Sequence, residues 1–191
     1  MKKLACFIMV SVFAMPLVAG AEEPVFFPHA KLKAVVEASL GISSPTPTDM
    51  LGLTDLSANG KGILDLTGLE TAINIETLKL TSNGISDLSP LSDLTNLSLL
   101  YLTTNQISDL SPLSGLTNLT KLWLGVNQIS DLLPLASLTN LTVVNVRNNP
   151  LSTDAHCNSV AHIISNNPGI RFSLDANVNP LSADCSFALA S

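Results

Sequence analysis

Aromatic and charged residues are scarce in this chain. Aromatics make up 4% of its 191 residues and charged side chains 13%, with a single tryptophan and a single tyrosine. Nine Lys and Arg face fifteen Asp and Glu, for a formal net charge of −6. So little positive charge argues against nucleic acid or an anionic membrane surface as partner. There is no phosphate-binding glycine loop, no G-x-S-x-G elbow and no paired-carboxylate arrangement, so no motif points to an enzyme and no cofactor is implied. The three histidines include His156 and His162 beside Cys157. Their spacing matches no zinc pattern, and a nucleophilic Cys/His pair would need an orienting group that the sequence does not indicate. A helix surface next to a disulfide accounts for them.

What is present begins with the first 21 residues, MKKLACFIMVSVFAMPLVAGA. Lys2 and Lys3 precede an apolar run over residues 4–18, and Ala19-Gly20-Ala21 fits a small-x-small cleavage pattern. This is the signature of a secretory signal peptide, too short and wrongly flanked for a membrane span. Cleavage after Ala21 would leave seven basic and fifteen acidic residues, a net charge of −8, in an exported chain, secreted or periplasmic, with no membrane insertion. Cys6 leaves with the leader, and Cys157 and Cys185 remain as an even pair. In an oxidising compartment a disulfide is the default, closing a loop of about 29 residues and contributing about 3–4 kcal/mol.

From residue 53 the chain aligns with itself at a period of 22. Lines start at Leu53, Ile75, Leu97, Leu119 and Leu141. Apolar columns follow at Leu56/Leu78/Leu100/Leu122/Val144, Ala58/Leu80/Leu102/Leu124/Val146 and Ile63/Ile85/Ile107/Ile129/Leu151. An asparagine column, Asn83, Asn105, Asn127 and Asn149, stands just after each LxL, with Lys61 in its place in the first line. One such coil cannot bury its own leucines, whereas stacked coils bury them in a continuous row. The LxL stretch reads as a short strand that pairs in parallel with its neighbours. The asparagines would form a buried ladder satisfying backbone groups where the chain leaves each strand. In the return half, Ser89-Pro90 and Ser111-Pro112 read as N-cap and first residue of a short helical turn, of 3-10 type because 22 residues leave no room for more.

The text LxxLxLxxNxISDLSPLxxLTN, as in LSLLYLTTNQISDLSPLSGLTN over residues 97–118, resembles the short bacterial leucine-rich repeats of internalins. It is also similar to the repeats of a protein phosphatase-1 regulator. The resemblance covers residues 53–151 and implies an α/β solenoid: right-handed, with a short parallel sheet on the concave face, a 3-10 or irregular convex side and helical caps at both ends. Residues 22–52 would form the N-terminal cap, with Leu32, Val35, Val36 and Leu40 on one helical face and Gly41 as stop. Bacterial proteins of this class often carry Asp after Phe-Pro, where this chain has His29. Residues 152–191 would form the C-terminal cap and tail, with a helix over 154–165 and a last strand at Ile170, Phe172 and Leu174. The Cys157–Cys185 pair would staple that cap.

The repeat register assigns the remaining side chains. Asp65, Asp87, Asp109 and Asp131 form a column about 5 Å apart, where each carboxylate caps the turn after it; a calcium ladder is the alternative reading. Asn96, Asn118 and Asn140 spell glycosylation sequons only because the repeat recurs. On the strands, residues flanking the buried leucines point outward. Tyr101 and Trp123 become neighbours there, amid Lys79, Leu99, Lys121, Val126, Asn145 and Arg147. Aromatics and arginine among apolar neighbours are the composition of a binding hot spot. The expected function is therefore recognition of a protein or other macromolecular partner by the concave face. A structural, envelope-associated role without a specific partner is the second reading. An enzyme or metal protein built on the His156/Cys157/His162 and Asp columns is the third. The sequence specifies neither the partner nor the oligomeric state.

Overall fold

The computed structural model describes residues 22–175. The expected signal peptide over residues 1–21, with Cys6, and the tail with Cys185 lie outside the described residues.

The N-terminal cap opens with helix α1, Ala30–Leu40, which buries Leu32 and Val36 and ends at Gly41 in the left-handed conformation, φ 68°. A one-turn helix α2, Pro47–Met50, follows. It starts with a full capping box: Thr46 Oγ1 accepts from Asp49 N–H, and the Asp49 carboxylate accepts from Thr46 N–H at 2.8 Å. His29, at the N-cap of α1, makes no capping bond, and its buried Nδ1 has no partner among the described residues.

Five strands then recur at the 22-residue period: β1 Asp55–Ser57, β2 Thr77–Lys79, β3 Leu99–Tyr101, β4 Lys121–Trp123 and β5 Val143–Asn145. A sixth, β6 Arg171–Ser173, completes a sheet in sequence order, every pair parallel. Register is strict, Leu56 opposite Leu78, Leu78 opposite Leu100, and onward to Val144 opposite Phe172. The middle residue of each of the first five strands is buried and its neighbours are not, as the LxL pattern requires. The leucine columns form one continuous core from Phe27 of the cap to Ile163 near the C-terminal end.

Each return half carries a 3-10 turn: Leu69–Thr71, Ser89–Leu91, Ser111–Leu113 and Leu133–Leu135. The turns start differently from the sequence expectation. Ser89 is not the cap; its N–H and hydroxyl both donate to Asp87 Oδ1, at 2.8 and 2.6 Å. The same acceptor role falls to Asp65 for Thr67, Asp109 for Ser111 and Asp131 for Leu133. Proline removes the next N–H from the turn, so the carboxylate two residues ahead of the serine takes the one donor left to satisfy.

The C-terminal cap also departs in detail. Its helix begins as a wide π turn, Ala155–Ser159, and continues as α3, Val160–Asn166. Ala155, Cys157, Ser159, Val160 and Ile163 are buried, so the wide turn brings an uneven set of positions against the last coil. Asn167 extends the buried polar ladder into this cap, donating to Leu138 and Ile163 carbonyls and accepting from Leu141 N–H.

Candidate binding surface

The asparagine ladder fixes where the concave face begins. Asn127 Nδ2 donates to Leu124 O of its own coil and to Leu102 O of the coil before, at 2.9 and 3.0 Å, while its Oδ1 accepts from Ile107 N–H at 3.1 Å. Asn83, Asn105 and Asn149 repeat this pattern. The ladder thus ties each strand exit to the preceding coil and holds successive strands in register. A second ladder was not foreseen. Asn74, Asn96, Asn118 and Asn140 each donate to a carbonyl 23 residues earlier, at 2.8–3.0 Å. The signal was in the sequence, as a column read only for its sequons.

One position before each ladder asparagine the backbone turns left-handed: Ser82, Thr104, Val126 and Asn148 all have φ of 58–59°. Gly60 holds this place in the first coil, at 64°. Thr104 and Val126 are the costly members, because a β-branched side chain crowds its own backbone there. Val126 is also 43% exposed.

Between these turns and the strand starts lies the sheet's solvent face. Tyr101 and Trp123, register partners on β3 and β4, stack with ring centroids 4.0 Å apart and planes 6° from parallel. The in-register parallel sheet forces that arrangement, since equivalent side chains on adjacent strands are held about 4.8 Å apart. Lys79 on β2 continues the column, its Nζ 5.9 Å from the Tyr101 ring centroid. Leu99 and Lys121 pair in the next column, Leu99 half-buried and Lys121 exposed.

Asn145 and Arg147 stand at the far end and carry structural duties as well. Asn145 Oδ1 accepts from Arg147 N–H at 3.0 Å, and Arg147 Nε donates to Leu174 O at 3.0 Å. The Asp175 carboxylate accepts from Asn148 N–H at 2.9 Å, so the chain after β6 is tied across this corner.

The face is electrostatically distinct. Lys79, Lys121 and Arg171 lie on the strands, with Arg147 two residues after β5, and Asp55 is the one acid on the strands. The aspartate column lies across the coil on the return half. Asp65 and Asp109 titrate below the ordinary 3.8, chiefly because the hydroxyls of Thr67 and Ser111 donate to them, with the backbone N–H groups adding to the effect. Among the described residues no group of three or more His, Cys, Asp or Glu is arranged to hold a metal ion. Cys157 is buried.

Two segments, 73–115 and 117–156, match the family model for leucine-rich repeats. No curated protein matches the chain in sequence. Among solved structures, the chain is similar to an internalin (inlF) from Listeria monocytogenes, with 27% identity and a TM-score of 0.64. That match covers 88% of this chain and 57% of the internalin, so the chain spans little more than half of that relative's length. It is also similar to internalin C2 (inlC2) from the same organism, at 27% identity and a TM-score of 0.55, over 84% of this chain and 92% of that one.

Proposed function

From the premise that the chain is an internalin-like leucine-rich repeat protein, a fold that supports protein interaction, we propose that it binds a protein partner through the concave face. The single observation carrying this reading is the Tyr101–Trp123 stack. The only tyrosine and the only tryptophan meet, half-buried, at mid-sheet on the solvent side, where the other coils do with Ser57, Lys79 and Asn145. Large rigid aromatic area beside Lys79, Lys121 and Leu99 matches the composition of interface anchors. The strained, exposed Val126 follows three residues after Trp123, and a residue that costs stability where it stands suits a surface kept for contact.

The proposal includes export, supported by the leader-like residues 1–21, and a Cys157–Cys185 disulfide holding the C-terminal cap. Thiol titration of the unfolded, leader-free protein should then find no free thiol until a reductant is added. The binding role is tested by affinity capture from the cell envelope and medium, comparing the natural protein with Trp123→Ala and Tyr101→Ala. A partner retained by the natural protein should be lost from both variants, each costing about 2 kcal/mol or more of affinity. Equal retention by all three would move the site off this face.

A further inference from the structure

Beyond the aromatic stack, the concave side has a second feature at its N-terminal end. A groove of about 740 Å³ separates helix α1 from strands β1 and β2. Ala34 and Ala38, one turn apart on the exposed side of α1, line its helical wall together with Val35, which also packs partly buried against the core. Small side chains there keep the groove open.

Three lysines line the same groove: Lys31 from α1, Lys61 from the turn after β1, and Lys79 from β2. The described residues hold seven basic and fourteen acidic side chains, so nearly half of the positive charge gathers at one cleft, with Asp55 as its single acid. None of these lysines makes an ion pair among the described residues. Lys33, one residue away from the Ala34 wall, is by contrast paired with Glu37 at 3.7 Å. Lys61 stands where every later coil has a ladder asparagine. The first coil has no preceding coil to tie to, and the position is released to carry a charge into the groove.

The cleft also offers backbone. β1 is the terminal strand of the sheet. Thr54 O and Ala58 N–H bond toward β2, so by the alternation of a parallel ladder Asp55 and Ser57 turn their backbone groups the other way, toward α1. Ser39 Oγ reaches Asp55 O at 3.4 Å, which leaves Ser57 as the next edge position.

We propose that this groove receives an acidic, extended polypeptide segment in which carboxylates alternate with small apolar side chains. The carboxylates meet Lys31, Lys61 and Lys79, the apolar side chains lie on Ala34, Val35 and Ala38, and the peptide backbone runs along the edge of β1. The chain's overall negative charge repels long polyanions and anionic bilayers beyond the cleft, and favours a short acidic segment presented by a larger partner. The inference rests on the protein-binding reading above but uses different residues, with Lys79 as the point where groove and aromatic stack meet.

The test is titration of the protein with a capped synthetic peptide of alternating Glu and Val or Ala, followed by NMR of alanine and valine methyls. The same sequence with Lys for Glu serves as control, and phosphatidylglycerol vesicles as competitor. The acidic peptide should shift the Ala34 and Ala38 methyls and bind roughly tenfold tighter than the lysine peptide at low salt, the gap narrowing as salt rises. Lys61→Glu and Ala38→Trp, both at exposed positions, should each weaken it roughly tenfold with the thermal midpoint unchanged. The proposal is overturned if the two peptides bind alike, if the acidic peptide leaves Ala34 and Ala38 unmoved, or if the vesicles bind the groove in its place. The two readings fail separately. Partner capture lost in Trp123→Ala but kept in Lys61→Glu sinks the groove alone, and the reverse sinks the aromatic site alone.

Discussion

Val126, like Thr104, is a β-branched residue whose side chain fits its left-handed backbone poorly. At φ 58° and 43% exposed, it holds a conformation that serine, threonine and asparagine hold in the other coils. Asparagine tolerates the left-handed region, so Val126→Asn should stabilise the protein by about 1 kcal/mol, read as a raised urea midpoint at constant slope. If the concave face binds as proposed, the same variant weakens the partner while it strengthens the fold. Trp123 behaves otherwise. The repeat register alone makes it the side chain the fold needs least, but its ring lies flat against Tyr101 and is half-buried. Each of Trp123→Ala and Tyr101→Ala should therefore cost some stability. A double-mutant cycle should give a coupling of about 0.5–1.5 kcal/mol. A coupling of zero would mean the stack is only proximity.

Repeated elements multiply small interactions, and the two asparagine ladders separate what is buried from what is not. Removing the side chain in Asn127→Ala, at a 9% exposed position, orphans the Ile107 N–H and takes one of two ladder donors from each of the Leu102 and Leu124 carbonyls, which keep Asn105 and Asn149. The cost should be about 2–4 kcal/mol in chemical unfolding. Asn118→Ala loses one exposed bond, to Thr95 O, and should cost under about 1 kcal/mol. The aspartate column acts through pH. Asp109 has a folded pKa below the ordinary 3.8, because Ser111 donates to the ionised form. A depressed folded value adds stability that is complete above 3.8 and disappears as the pH falls through the lower folded value. Asp65 shares the direction and cause, with Thr67 as donor. Thermal midpoints followed from about pH 5 downward should therefore fall less steeply in Asp109→Asn than in the natural protein. Parallel curves would show that the bond to Ser111 is not felt in solution.

At the scale of the whole molecule, the solenoid must close its open core, and the N-terminal closure rests on one glycine. Gly68 takes the column that Pro90, Pro112 and Pro134 fill elsewhere. Its φ is 103°, and a Cβ there would come within 2.5 Å of the Phe27 ring. Phe27 belongs to the continuous core and lies ahead of α1, so Gly68 is the seat on which the cap docks. Gly68→Ala combines a disfavoured backbone with a steric clash and should cost about 2 kcal/mol or more, with earlier proteolysis of the N-terminal segment than of the repeats. Charge is also organised at this scale: the carboxylate column occupies the return half, while Lys79, Lys121 and Arg171 occupy the sheet and Arg147 the turn after β5. A net negative chain thereby presents a locally basic sheet face.

The 22-residue period by itself determined the solenoid, its parallel register, the leucine core and the outward direction of Tyr101 and Trp123. Those follow from local alternation and from the need to stack coils, both of which are written in every line. Three things were decided only in three dimensions. The asparagines bond backwards to the preceding coil, 20 to 25 residues away, and the partner groups are main-chain atoms that carry no sequence signature. The two aromatic rings stack on each other, because strand spacing and not sequence distance sets their separation. The groove arises where α1, β1 and the Lys61 turn converge, elements that the repeat pattern does not describe. A repeat specifies what each coil shares with the next. The caps, and the places where one coil departs from the rest, take their meaning from contacts between residues of unrelated lines, which tertiary packing alone brings together.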